Sequence, residues 1–302
     1  MTLPGPFGTP SRLTATVVAA VAVLAVALLG AGLAQTGTGE LRIPAAGAIS
    51  LLRLLVLAGL AVHVGELAGR RLAGAGPLPR GLAAPAALLA AASSAGLLLL
   101  FTAVSGLSPV VVYGLREGRL LLVTANAFAL AAFCAASRRP GLAVLPLAVA
   151  VGAEAMRAHP EARLQVLGTA LTVVHLTAAS LWAGTLLYVL RTMRLRGGGR
   201  DVLVRYARTA AWLYAALVVT GTVSTLRRLP LDAVLTTAYG RLLLVKLMLF
   251  GGASLLALAA RGRMRSGGDA QAPARVEVSA LVAIVVVSAL LTVVPDPRGF
   301  AR

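Results

Sequence analysis

This 302-residue chain has three histidines, His63, His159 and His175, each in or beside a strongly apolar stretch. Imidazole ligates late first-row metals, carries protons and holds haem iron, so the neighbours of each ring decide which chemistry is open. His175 stands in His175-Leu-Thr-Ala-Ala-Ser-Leu-Trp182-Ala-Gly184. Trp182 is seven residues on, two helical turns, which puts both side chains on one face. A polar ring in hydrocarbon is costly and turns to a bundle interior, a partner or a watery cavity. Either His175 is a hydrogen-bonded packing residue and Trp182 fills an interface, or His175 is a ligand. Met156 and His159 are three apart and meet on one face if the helix persists to His159, although Pro160 favours fraying. Thioether with imidazole suits Cu(I), and the plain alternative is a chance pairing.

Other polar residues in apolar runs extend the set. His63 and Glu66 are also three apart, and either they pair with each other or they form a waypoint for a cation. Glu154 lies just before Met156. Lys246 is five residues after Arg241, about 7.5 Å into its run at helical rise. It either snorkels to the surface or acts as counter-ion or gate. Glu277 opens the last run beside Arg275, and the charge pattern pairs it with Arg261 or Arg275.

The elements that must position these residues are membrane helices. Hydrophobic residues make up 59% of the chain and charged ones 13%, against about 25% in ordinary soluble domains. Aromatics are 4%, so the apolar content is Ala, Leu and Val, as in helices rather than girdled barrel strands. Apolar runs fall at about 13–34, 50–69, 81–106, 120–137, 140–157, 165–190, 204–226, 241–261 and 276–294. The sequence therefore predicts an all-α polytopic bundle of about nine transmembrane helices. The fifth run contains Pro146 and is retained because membrane helices tolerate proline kinks. Gly59, Gly65, Gly69, Gly251 and Gly252 fall inside runs and predict close helix crossings.

The net charge of +18 comes from Arg clusters between runs, which argues for topogenic signals and against nucleic-acid binding. Counted over alternate loops, the clusters predict the N-terminus inside and the C-terminus outside. A cleaved signal peptide is the rival reading of the first run, disfavoured by its length of roughly 22 residues against an apolar core of 7–15. Loops are short and no Walker loop appears, which excludes a nucleotide site. Cys134 is the single cysteine, so neither an intramolecular disulfide nor a thiolate cluster is available.

The segment Tyr239-Gly240-Arg241-Leu-Leu-Leu-Val-Lys246, a helix ending at Arg261-Gly-Arg263, and Arg275-Val-Glu277 opening a last helix that ends at Pro295 resemble the copper-resistance protein D (CopD) family. The His175–Gly184 segment resembles that family's histidine, tryptophan and glycine helix. The resemblance covers roughly residues 150–297, dividing the chain into N-terminal membrane helices at 1–149 and a CopD-like region at 150–302. Gly184 is followed by Thr185 where the family commonly has a second glycine, and Gly152 by Ala153-Glu154 where it often has Gly-His.

The resemblance implies a non-enzymatic, multi-pass protein of the bacterial plasma (inner) membrane that takes up or resists copper, with a periplasmic or extracellular copper carrier as partner. Its expected metal contacts are His175, His159, Met156 and His63, with Trp182, Gly184, Glu66, Glu154 and Lys246 in support. The three imidazoles fall at different depths, so they form a series of weak sites and not one closed site. Two other functions remain open: a b-type haem electron carrier, and a non-transporting partner that delivers copper or assists oxidase assembly.

Overall fold

The computed structural model describes residues 12–137, 139–158, 165–230, 232–266, 271–295 and 297, with side chains from Val17 onward except that of Gln271. The elements are α1 (Arg12–Ala34), α2 (Ala46–Ala73), α3 (Ala83–Ser105), α4 (Pro109–Gly114), α5 (Arg116–Ala136), α6 (Val144–Arg157), α7 (Gln165–Arg196), α8 (Arg200–Arg228), α9 (Ala233–Thr236), α10 (Ala238–Arg265) and α11 (Gln271–Leu290). No strand occurs among the described residues, and nine helices are long and apolar enough to cross a membrane. The expected bundle is therefore present.

The helices outrun the apolar segments. α7 continues to Arg196 and α10 to Arg265, because Arg is a good helix former and basic residues suit the negative end of the helix dipole. The last helix stops at Leu290, and turns occupy 291–294. Pro146 makes no mid-helix kink. A 3₁₀ turn fills Pro140–Ala143 and α6 begins at Val144, so the proline falls in the first turn, where its missing N–H costs nothing.

α2 is the central strut, packed on α3 and α7. A Cβ on Gly65 or Gly184 would collide with backbone of the opposing helix, so α2 and α7 cross almost in backbone contact. Gly69 seats the Tyr188 ring, and Gly59 admits Ala86 and Ala90 of α3. Gly251 and Gly252 behave otherwise: a Cβ on either would meet nothing within 4 Å, so they do not serve helix crossing. One apolar core joins α2, α3, α5 and α6 around Phe128 and Leu60, and another joins α7, α8, α10 and α11 around Trp182 and Leu186.

Candidate functional site

Three layers of polar and aromatic residues stack along the second core. The first holds His175 of α7, whose Nδ1 lies 2.9 Å from Thr220 Oγ1 of α8. The Thr220 hydroxyl donates to Ala216 O at 2.7 Å, which uses its one proton. Thr220 therefore accepts from His175 Nδ1–H, and Nε2 keeps its lone pair. The ring rests over Gly221, where a Cβ would be 3.8 Å from Cε1, and the Lys246 ammonium of α10 is near enough to act on it electrostatically.

The second layer is aromatic. Trp182 is 2% exposed and meets Tyr214 of α8 and Phe250 of α10 edge-on, with centroids 6.1 and 5.8 Å away. Tyr214 and Phe250 stack at 5.2 Å with planes 4° apart. The face shared by His175 and Trp182 thus exists, and it is turned toward α8. In the third layer the Trp182 indole N–H donates to Glu277 Oε1 of α11 at 3.1 Å, and the Tyr206 hydroxyl of α8 donates to Trp182 O at 3.4 Å. This corrects the sequence expectation for Glu277: its partner is an indole, not Arg261 or Arg275. The carboxylate enters the bundle between helices while the Arg side chains of those helix ends lie outward.

Of the remaining sequence candidates, His63 is wholly buried on α2 with both ring nitrogens lacking a hydrogen-bond partner. Glu66 does not pair with it. Its Oε1 accepts from Leu82 N at 2.7 Å and pairs with Arg191 at 3.0 Å, while Oε2 accepts from Ala83 N at 3.1 Å. The orphan N–H groups at the start of α3 and a full positive charge outcompete a neutral ring. Arg191 also donates to Arg80 O, tying the 74–82 loop to α7.

Glu154 belongs to a quartet of two carboxylates and two guanidiniums, of which Glu154 and Arg157 are buried. Its Oε2 lies 2.6 Å from Arg157 and 3.4 Å from Arg53, and Glu117 Oε1 lies 2.8 Å from Arg157 and 3.8 Å from Arg53. The quartet joins α2, α5 and α6. Sequence reasoning missed it, because Arg53 and Glu117 are separated from Glu154 by 101 and 37 positions and no local spacing links them. Met156 is 43% exposed at the end of α6, and its carbonyl accepts from Arg116 at 2.7 Å. Its expected companion His159 lies outside the described residues.

Among the described residues no three His, Cys, Asp or Glu side chains gather as a metal-binding group. Neither of two surface grooves, of about 410 Å³ beside α5 and about 280 Å³ between α7 and α11, touches a histidine. The Tyr239-Gly240-Arg241 motif is structural. Gly240 abuts the α9 carbonyls of Ala233 and Val234, Thr237 Oγ1 caps α10 through Gly240 N at 3.1 Å, and Arg241 donates to Thr36 O at 2.8 Å.

Residues 200–294 match the family model described as Copper resistance protein D. The match bears out the resemblance to the copper-resistance protein D family over that segment. It contains Thr220, Tyr206, Tyr214, Phe250 and Glu277, the residues that hold His175 and Trp182 in place; α7 itself precedes it. No curated protein and no solved structure matches the chain. Nine apolar helices among the described residues make it a multi-pass membrane protein, and its segment 200–294 is similar to the copper-resistance model.

Proposed function

We propose that the protein handles copper ions in a bacterial inner membrane and passes them through the α7–α8–α10–α11 bundle, with His175 as the central contact. One observation carries this reading: His175 Nδ1 lies 2.9 Å from Thr220 Oγ1, and with that hydroxyl donating to Ala216 O the arrangement leaves Nε2 as the ring's free lone pair, the role that an acceptor on the other ring nitrogen gives a metal-binding imidazole. A single imidazole donor beside the Lys246 charge holds a cation weakly. Weak holding suits passage, since a tight site does not release its ion.

Copper here is cargo and not a resident cofactor. In the proposed orientation, N-terminus inside, His175 lies about 15 Å below the outer start of α7, near the middle of a roughly 30 Å hydrocarbon core. Met156 stands at the mouth, with His159 three residues on in the sequence as its proposed companion, Trp182 walls the path beneath, Gly184 sets that wall against α2, and His63 is a separate contact on α2. A periplasmic or extracellular carrier supplies the ion, and the membrane potential contributes about 2.3 kcal/mol per charge per 100 mV.

The test is copper uptake into proteoliposomes that contain only this chain, with His175→Ala, His159→Ala and His63→Ala compared. Loss of uptake in His175→Ala alone keeps the central site and removes the relay. A His175→Ala protein that folds and transports normally overturns the reading. Copper bound without uptake favours the delivery or assembly role. An absorbance spectrum of the same protein separates haem from copper, since a Soret band places it among electron carriers.

A further inference from the structure

The third layer carries a group that neither copper contact nor ordinary packing explains. Glu277 is 2% exposed, about 9 Å along α11 from its start, and its described hydrogen bond comes from a neutral donor, the Trp182 indole. The ion pairs of the described residues lie elsewhere, at the Arg53–Glu117–Glu154–Arg157 quartet, at Glu66 and at Asp201. An ionisable side chain buried in a membrane-spanning helix, with no ion pair among the described residues, is a functional group by default, because an apolar residue would fill the place at lower cost.

The groups around it narrow its role. Tyr206 of α8 is within electrostatic reach of the carboxylate. α7 contributes Trp182 and, nine residues further, Arg191, which is committed to Glu66. α10 contributes Lys246 at the His175 layer and, at its other end, from which the chain leads into α11, the outward-lying Arg261, Arg263 and Arg265. α2 contributes His63, and Glu66 and Arg70 in the cluster at the start of α3. α1 has no titratable side chain between Val17 and Ala34, and Arg275 is the neighbouring charge on α11 itself. A hard carboxylate that belongs to no group of three His, Cys, Asp or Glu donors among the described residues is a poor holder of copper. It is a good holder of a proton, since the neutral acid needs no counter-charge and still accepts the indole N–H on its carbonyl oxygen.

We propose that Glu277 is a proton-exchanging site of the bundle interior, and that its proton is exchanged against the cation that reaches His175. In the exchange the carboxyl O–H bond breaks as its proton passes to water on one side, and re-forms with a proton taken from water on the other; no electron moves. The aromatic layer of Trp182, Tyr214 and Phe250 separates the two sites, so the cation above and the proton below communicate through Trp182. The exchange rests on the copper reading; proton binding at Glu277 does not.

Trp182 and Trp212 are the two tryptophans of the chain, and Trp212 is 80% exposed. In a Trp212→Phe background the emission of Trp182 therefore reports on its hydrogen bond to Glu277. It should shift as pH is changed without copper, and Glu277→Gln should abolish the shift. A Trp182 emission that does not move with pH, or that moves equally in Glu277→Gln, overturns the site. Should Glu277→Gln not fold, the protonated-carboxyl infrared band of the protein should move in Trp182→Phe, and a band left in place overturns it as well. In proteoliposomes, one-for-one exchange predicts about a tenfold rise in copper accumulation per unit of imposed pH gradient, absent in Glu277→Gln. A gradient dependence kept by Glu277→Gln refutes the exchange. A wild type that titrates at Trp182 but takes up no copper refutes the transport reading and the exchange, while the proton site stands.

Discussion

Replacing Gly184 by alanine tests the crossing that aims Trp182 into its bundle. A Cβ at this position would lie 2.7 Å from the Ala61 carbonyl carbon and 3.0 Å from Gly65 Cα, and it would overlap Ala61 O. Ordinary carbon–carbon contact is about 3.5–4.0 Å, so α2 and α7 must part by at least about 1 Å, and by more at the Ala61 carbonyl oxygen. The atoms in the way are backbone and cannot rotate aside. A gap of that size forfeits up to about half of each contact's attraction along the seam, and overpacking of this kind costs about 1–3 kcal/mol. Alanine returns up to about 1 kcal/mol of helix propensity, so the expected result is a net loss of up to about 2 kcal/mol, seen as a melting temperature a few degrees lower in detergent. Gly252→Ala is the control. Nothing lies within 4 Å of its Cβ, so propensity acts alone and the protein should gain about 0.5–1 kcal/mol. Thermal unfolding followed by circular dichroism reads both. Equal melting temperatures for wild type and Gly184→Ala, or a destabilised Gly252→Ala, would refute the α2–α7 crossing.

Three further outcomes are expected. Thr220→Val keeps the shape but removes the acceptor for His175 Nδ1–H, so copper affinity measured by competition with a chelator should fall about 10–100-fold, and Thr220→Ser should restore most of it. Arg157→Met leaves Glu154 buried beside Arg53 alone, and should destabilise the fold by about 3–5 kcal/mol in a denaturation series, whereas removing both Arg157 and Glu154 should cost less. Reporter fusions after Arg196 and after Arg302 should report opposite sides of the membrane; the same side for both would break the proposed orientation.

Architecture was legible in the sequence because a bilayer imposes a one-dimensional code. Every backbone polar group must be bonded within its own segment, so a long apolar run is a helix whatever its neighbours are, and the nine runs correspond to nine spanning helices among the described residues. The shared face of His175 and Trp182 was legible for a related reason: both lie on one helix, where spacing alone fixes direction. The family resemblance was likewise written in contiguous motifs, and the match over 200–294 agrees with it.

Partners between helices were not legible, since helical periodicity says which residues share a face but not which helix that face meets. Glu66 lies one turn from His63, yet it bonds the start of α3 and Arg191, 125 positions away. Glu277 has Arg275 two residues off, yet it bonds an indole 95 positions away. Gly65 and Gly251 look alike in sequence, but one is pressed against Gly184 and the other faces open space. Composition, helix count and the positions of polar residues within each run belong to the sequence. The packing of α2 on α7, and of α7 on α8, α10 and α11, decides which of those residues meet, because side-chain contacts across helices depend on rotations and depths that no single segment encodes.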